Sequence, residues 1–389
     1  MKIPSDYQKG YKKALQIDGE RATNYVAHTT IGDPLADELV DDLSHLEHNQ
    51  SAELLKTALS ADSSRIGKDA PASLKKFMEF YDDAPEWVDF DAMKPGFAMF
   101  HRNTRFVLAG MVAGTLVEGF TTNISLSFFI KGRLRYQGIK RLQQNNRHML
   151  EIFLPGGLEK HGDGWALSIR VRLVHARSRQ LLYNASEWDS EVLGVPLSSA
   201  HIGFAICAFS ARLLGHMKAL GATFDDEERE AFMQVWRYSG YLMGIPETIL
   251  YKDEDDALDL FAVGRVCEPP VSMESIAMAW SLINSAPLLS GTIEREERIK
   301  LAELISRVSR VLIGDELADD LSLPKGNQTI TMMQFKLFNL IEKTSSMFNR
   351  MNLEKRYDIA KILQLSHYGT HGISYRLPDH YYDEESSEW

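Results

Sequence analysis

The sequence predicts an all-α fold, and three observations predict it. Period-2 alternation is rare along the chain, while apolar residues recur at three- and four-residue steps. Start and stop signals bracket the periodic segments: Ser198 or Ser199 after Pro196, and Gly221 at the far end of the same segment. The stretch PGGLEKHGDGW (155–165) breaks any regular pattern and is a loop.

In chain order, helical spacing marks roughly 34–60, 71–82, 89–103, 104–130, 133–154 and 166–183. The clearest case is SSAHIGFAICAFSARLLGHMKALGA. Its Ile202, Ala205, Ile206, Phe209, Leu213 and Leu220 share a helical stripe. The next helix opens at Asp225 with Glu228 three positions on, a capping-box pattern whose negative charge suits a helix start. It continues as REAFMQVWRYSGYLMGI and stops at Pro246. Gly240 and Gly244, four apart, make a smooth strip for a neighbouring helix or a flat ligand; helix packing is the commoner use. Further helices fall near 271–286, 295–313, 329–349 and 353–364, and the acidic tail DEESSEW frays. No repeat or low-complexity linker interrupts the chain. It divides into an N-terminal helical segment (1–83), a core (84–250) and a C-terminal helical annex (251–389).

The 389 residues are 44% hydrophobic and 25% charged, enough for a sizeable core. The formal net charge of -11 argues against sequence-independent nucleic-acid binding. Cys207 and Cys267 fit no CxxC spacing and are expected as reduced core residues. The opening MKIPSDYQKGYKKALQIDG has no apolar signal region, and the longest apolar runs are interrupted by Glu118 or Arg212. A soluble, cytoplasmic protein without a transmembrane segment is expected.

The stretch RVRLVHARSRQLL sets His175 among Arg170, Arg172, Arg177 and Arg179. In a helix, Arg172, His175 and Arg179 lie at i, i+3 and i+7, on one face. A neutral imidazole there can ligate a metal, and the arginines a turn away can pair with carboxylates. A haem, with iron at its centre and propionates at its edge, has that layout. A solvated basic stripe with an incidental histidine is the other explanation. HExxH, GxSxG and P-loop patterns are missing, and His101, His148, His161 and His201 are scattered.

The chain resembles the oxygenase family of latex clearing proteins (rubber oxygenases) and MpaB-type proteins. The segments that carry the resemblance run, in order, APEWVDFDAMKPGFAMF, KGRLRYQGIKRLQQNNRHMLEIFLPGGL, GWALSIRVRLVHARSRQLL, GVPLSSAHIGFAICAFSARLLGHMKALGA and EREAFMQVWRYSGYLMGI. They span about 84–250, with a weaker echo at RVLIGDELADDLSLP (310–324). The resemblance implies a globin-like, haem b-binding oxygenase core, with His175 as proximal iron ligand and Arg172 and Arg179 as its flanking arginines.

Rubber oxygenases carry an R-x-x-K-T pattern whose lysine caps the distal iron. The matching stretch here keeps Arg141 but puts Gln144 at the lysine and Asn145 at the threonine. A lysine-capped state is thereby excluded, while Asn145 can still donate to bound dioxygen. His148, one turn on, is a distal ligand, a relay or an ordinary polar residue. The family also uses a glutamate as base. Glu118, in the apolar run GTLVEGF, is the nearest counterpart and needs either a partner or a raised pKa. Arg141 also counts among the haem-binding residues on this resemblance, and Arg141, Asn145 and Glu118 are the candidate catalytic groups.

The expected reaction joins dioxygen to an apolar unsaturated substrate, isoprenoid or acyl-like, in a pocket to which Phe128, Phe129, Phe204 and Phe209 contribute. Rubber itself is not expected as the substrate in the absence of an export signal. The competing expectation is a haem-binding protein without turnover, a gas sensor or haem store; non-haem metal use is a third.

Overall fold

A computed structural model describes residues 2–60, 70–130, 137–289, 292 and 294–336. Among these residues every regular element is helical. The elements are α1 (Gln8–Ala14), α2 (Gly19–His28), α3 (Pro34–Ser44), α4 (His48–Leu59), α5 (Ala72–Glu79) and α6 (Lys94–Arg102). Then come α7 (Thr104–Gly110), α8 (Leu116–Gly119), α9 (Ile124–Ile130), α10 (Gln137–Ile152), α11 (Asp163–Tyr183) and α12 (Ser190–Leu193). The chain continues through α13 (Ser199–Cys207), α14 (Leu213–Leu220), α15 (Asp226–Leu242), α16 (Glu254–Cys267), α17 (Met273–Leu289), α18 (Arg295–Ile313) and α19 (Asp315–Asp320).

The caps behave as the sequence predicts. Ser198 Oγ accepts from the His201 amide at the start of α13, and Gly221 closes α14 with φ 109°. Asp225 and Glu228 form the reciprocal capping box of α15. Other boundaries differ. The expected helix 34–60 breaks into α3 and α4 at His45–Glu47, where Glu47 is extended. The expected helix 104–130 stops after Gly119 and restarts at Ile124. Residues 328–336 are helical at the start of the expected 329–349 helix; its remainder, the 353–364 helix and the acidic tail lie outside the described residues. Two π turns, Met111–Thr115 between α7 and α8 and Ala208–Arg212 between α13 and α14, interrupt otherwise continuous helices.

α11 is the organising helix. It packs on α10, α15 and α3, while α6 lies along α15. α1 and α2 fold back onto α16, and α17 packs between α10, α9 and α18. One buried apolar cluster runs from Tyr7 to Leu323, so residues near both ends of the described chain share a core with α11. Both cysteines are free and buried in it, and burial raises both thiols, that of Cys267 to about 12. Phe204 is core as well, stacked on Phe261 at 4.4 Å.

Of the two expected strip glycines, Gly240 lies on α15 and serves packing, while Gly244 falls just beyond the helix end. A Cβ on Gly240 would meet Ile206, Ile245 and Leu250 at 3.1 Å. Gly244, at φ 81°, lies where a Cβ would come within 2.3 Å of Arg172 Nε and 2.7 Å of Asp33 Oδ2. Gly244→Ala is therefore expected to lose about 3 kcal/mol or more, from left-handed strain plus overpacking. Gly215→Ala, in α14 with open space around its Cα, should gain roughly 0.5–1 kcal/mol. Urea denaturation of the pair checks this; equal midpoints would contradict it.

Candidate functional site

Arg172, His175 and Arg179 fall on one face of α11, joined by Ser168 one turn earlier. His175 is half-buried and lines a cleft of about 260 Å³, its open mouth included. Leu197, Ile202, Met243 and Ile245 give the cleft apolar wall; Asp33, Arg179 and Ser199 give its polar wall.

Both arginines are buried and committed. Arg172 donates from Nε to Asp33 Oδ2 at 2.6 Å and from Nη2 to Asp33 Oδ1 at 2.8 Å. Its Nη1 donates to Tyr81 Oη at 2.8 Å, and Tyr81 donates onward to the Leu242 carbonyl at 2.9 Å. The rings of Phe77, Phe80 and Tyr81 surround the guanidinium at 4.6–5.7 Å. Burial would lower the Arg172 pKa, but Tyr81 and Asp33 outweigh it and raise it. Arg179 Nε reaches both oxygens of Asp37 at 2.9 and 3.0 Å, and Nη1 donates to the Leu197 carbonyl at 2.7 Å.

The backbone is stitched at the same place. The Val195 and Ser199 amides donate to the Thr29 and Ile31 carbonyls, and Ser199 Oγ donates to the Gly32 carbonyl at 3.0 Å. Asp33 and Asp37 escaped the sequence analysis. Their four-residue spacing at the start of α3 puts both on one face, but no sequence signal says which cations they meet.

Haem needs an axial donor, an apolar face and cations for its propionates. His175 and the apolar wall fit the first two. Arg172 and Arg179 flank His175 with the charge the third requires, and each already meets an internal carboxylate that a propionate would have to share. Parting Arg172 from Asp33 would leave a buried charge unpaired, at about 3–5 kcal/mol, whereas Asp37 beside Arg179 is 37% exposed. Among the described residues no group of three His, Cys, Asp or Glu is placed to hold a metal ion.

The expected distal face lies on α10. The backbone of Arg141 is helical, but its side chain lies outside the described residues, as do those of Phe128 and Phe129. Gln144 and Asn145 are half-buried, and Asn145 does not line the His175 cleft. His148 is buried. Its Nε2 hydrogen-bonds Ser168 Oγ at 2.9 Å and lies 3.4 Å from Ser239 Oγ, tying α10 to α11 and α15. Phe209 packs on Trp236, 5.4 Å between centroids.

Glu118 does not line the cleft either. It is 2% exposed, takes Arg212 Nε at 3.2 Å and a second Arg212 bond through Nη2, and meets His216 Nε2 at 3.1 Å. Burial raises its carboxyl, but His216 and Arg212 outweigh burial and hold it below the ordinary value. Of the two expectations, a partner or a raised pKa, the partner is what the fold supplies. Arg212 and His216, four apart in an apolar helix, were the signal available in the sequence.

Burial also pushes the His148 ring from 6.5 down to about 4. The unfolded chain then takes up this proton first, so stability is intact above pH 6.5 and falls as pH drops toward 4. The loss between pH 7 and 4.5 is roughly 2–3 kcal/mol. His148→Gln, which keeps a partner for Ser168, should lose this component; urea midpoints at the two pH values measure it. An equal acid loss in both proteins would contradict the assignment.

Comparison with known proteins agrees with this architecture. A rubber oxygenase from Streptomyces sp. (strain K30) is 24% identical over 267 residues, covering 66% of this chain and 61% of that protein. The match thus spans less than two thirds of the relative's length. The structure of latex clearing protein LCP in the closed state shares the fold, with a TM-score of 0.67 at 20% identity over 90% of this chain and 94% of that one. Residues 98–339 match the model for "ER-bound oxygenase mpaB/B'/Rubber oxygenase, catalytic domain". That span takes in α11, both π turns and well over half of the sequence, and the chain belongs to this mpaB/B' and rubber oxygenase family.

Proposed function

We propose that this chain is a haem b-dependent oxygenase that uses dioxygen on an apolar unsaturated substrate, isoprenoid or acyl-like. The observation that carries the reading is His175, presented beside an apolar wall on a helix whose flanking arginines are both locked, in a chain of an oxygenase family. Haem, when bound, supplies the iron that binds and activates dioxygen.

The chain's own residues would do the rest. His175 would hold the haem iron, and the ion pairs on either side of it fix the pitch and rotation of α11. Leu197, Ile202, Met243 and Ile245 keep water from one side of the imidazole. Arg141 and Asn145, four apart on α10, share a face and are assigned the polar role toward dioxygen. Glu118 is not assigned the base, because both of its oxygens are engaged and its carboxyl is held ionised. Arg172 and Arg179 would share their guanidinium groups between Asp33, Asp37 and the propionates.

Pyridine haemochrome assay of the purified protein should give about one haem per chain. His175→Ala should lose haem by at least about tenfold, near 1.4 kcal/mol, with unchanged far-ultraviolet circular dichroism. A haem-free wild type, or a variant with full haem and an unaltered Soret band, would overturn the reading. Arg141→Ala should keep its haem and lose turnover by about a hundredfold. A ferrous spectrum indifferent to dioxygen and carbon monoxide would instead indicate haem binding without turnover.

A further inference from the structure

The family match begins at residue 98, yet the wall of the His175 cleft includes Gly32 and Asp33. The carboxylate of Asp33 is 11% exposed. A carboxylate accepts about four hydrogen bonds. Oδ1 takes Arg172 Nη2 and the Ala36 amide, and Oδ2 takes Arg172 Nε. One acceptor position remains, on Oδ2. Gly244 leaves that oxygen room, since a Cβ there would come within 2.7 Å of it.

The cleft is narrow, with room for no more than a single bridging water. That space suits a hydrogen-bonded partner of the imidazole. A ligating histidine commonly donates its other ring N–H to a carboxylate, directly or through water, which fixes the tautomer and raises its basicity.

We propose that Asp33, oriented by Arg172, is the positioning residue for His175, taking the imidazole's second N–H across the cleft. This rests on the haem-ligand reading above. Asp37 and Arg179 pin the same turn but take no part in that hydrogen bond, because Asp33 lines the His175 cleft and Asp37 does not. The N-terminal segment therefore completes the site on α11.

The test compares Asp33→Asn with Asp37→Asn in the full chain. Each removes one charge from one clamp. Two-bond ¹H–¹⁵N spectra of ¹⁵N-histidine-labelled protein, haem-free or as the ferrous carbonmonoxy form, report the state of the His175 ring. Asp33→Asn should move the His175 nitrogens, and Asp37→Asn should leave them in place. In haem-loaded protein, Asp33→Asn should also shift the ferric–ferrous equilibrium toward ferrous by about tenfold, which is about 59 mV for one electron. If Asp33→Asn does not fold, Asp33→Asn with Arg172→Gln removes the unpaired charge and serves instead. An unmoved His175 signal, or equal changes in both single variants, would overturn the proposal. A wild type that binds no haem would defeat the haem reading, while the ¹⁵N comparison still decides the role of Asp33.

Discussion

Two arginines buried on one face of α11 set the terms for the rest of the molecule. A guanidinium cannot shed its charge, so taking it out of water demands carboxylates and carbonyls in fixed places. Asp33, Asp37, Leu197 and Tyr81 fill those places. That requirement folds α3 and α5 against α11, brings the turn at 29–33 against the loop at 195–199, and forbids a side chain at Gly244. The cation–aromatic cage of Phe77, Phe80 and Tyr81 then buries the apolar face of the same guanidinium.

The same rule recurs elsewhere. Glu118 is paired by Arg212 and His216. His148 stays neutral against two serines. Arg310 gathers Asp315, Asp319 and the Leu323 and Pro324 carbonyls, which folds the α18–α19 corner. These three buried groups each sit in a closed local set, with their polar atoms turned toward one another rather than toward the apolar core.

The helical class, the caps at Ser198, Gly221 and Asp225, and the shared face of Arg172, His175 and Arg179 were legible because each depends on residues within one or two turns. α2 and α16 were not called. α16 packs against α1, α2, α13 and the second π turn at once, so its apolar residues surround it and leave no single stripe to read. The partners of Arg172 lie 139 residues upstream at Asp33 and 91 residues upstream at Tyr81, a separation that no local spacing can encode. Without those partners in view, two arginines flanking a histidine gave no sign of the internal carboxylates they meet.

The two π turns carry a consequence for how this chain can vary. Each holds one residue more than an α-turn would, and one residue is about 100° of helix rotation. Glu118 follows the first turn, and Arg212 and His216 sit within and after the second. The turns face each other, with Thr115 Oγ1 donating to the Ala208 carbonyl at 3.2 Å. Deleting one residue from either would keep the composition and the hydrophobicity of the helix, yet swing its charged group to another side and strand the opposite charge in the core. Here the residue count is itself an electrostatic constraint, and homologous chains should tolerate exchanged side chains in these turns far better than a lost or gained position.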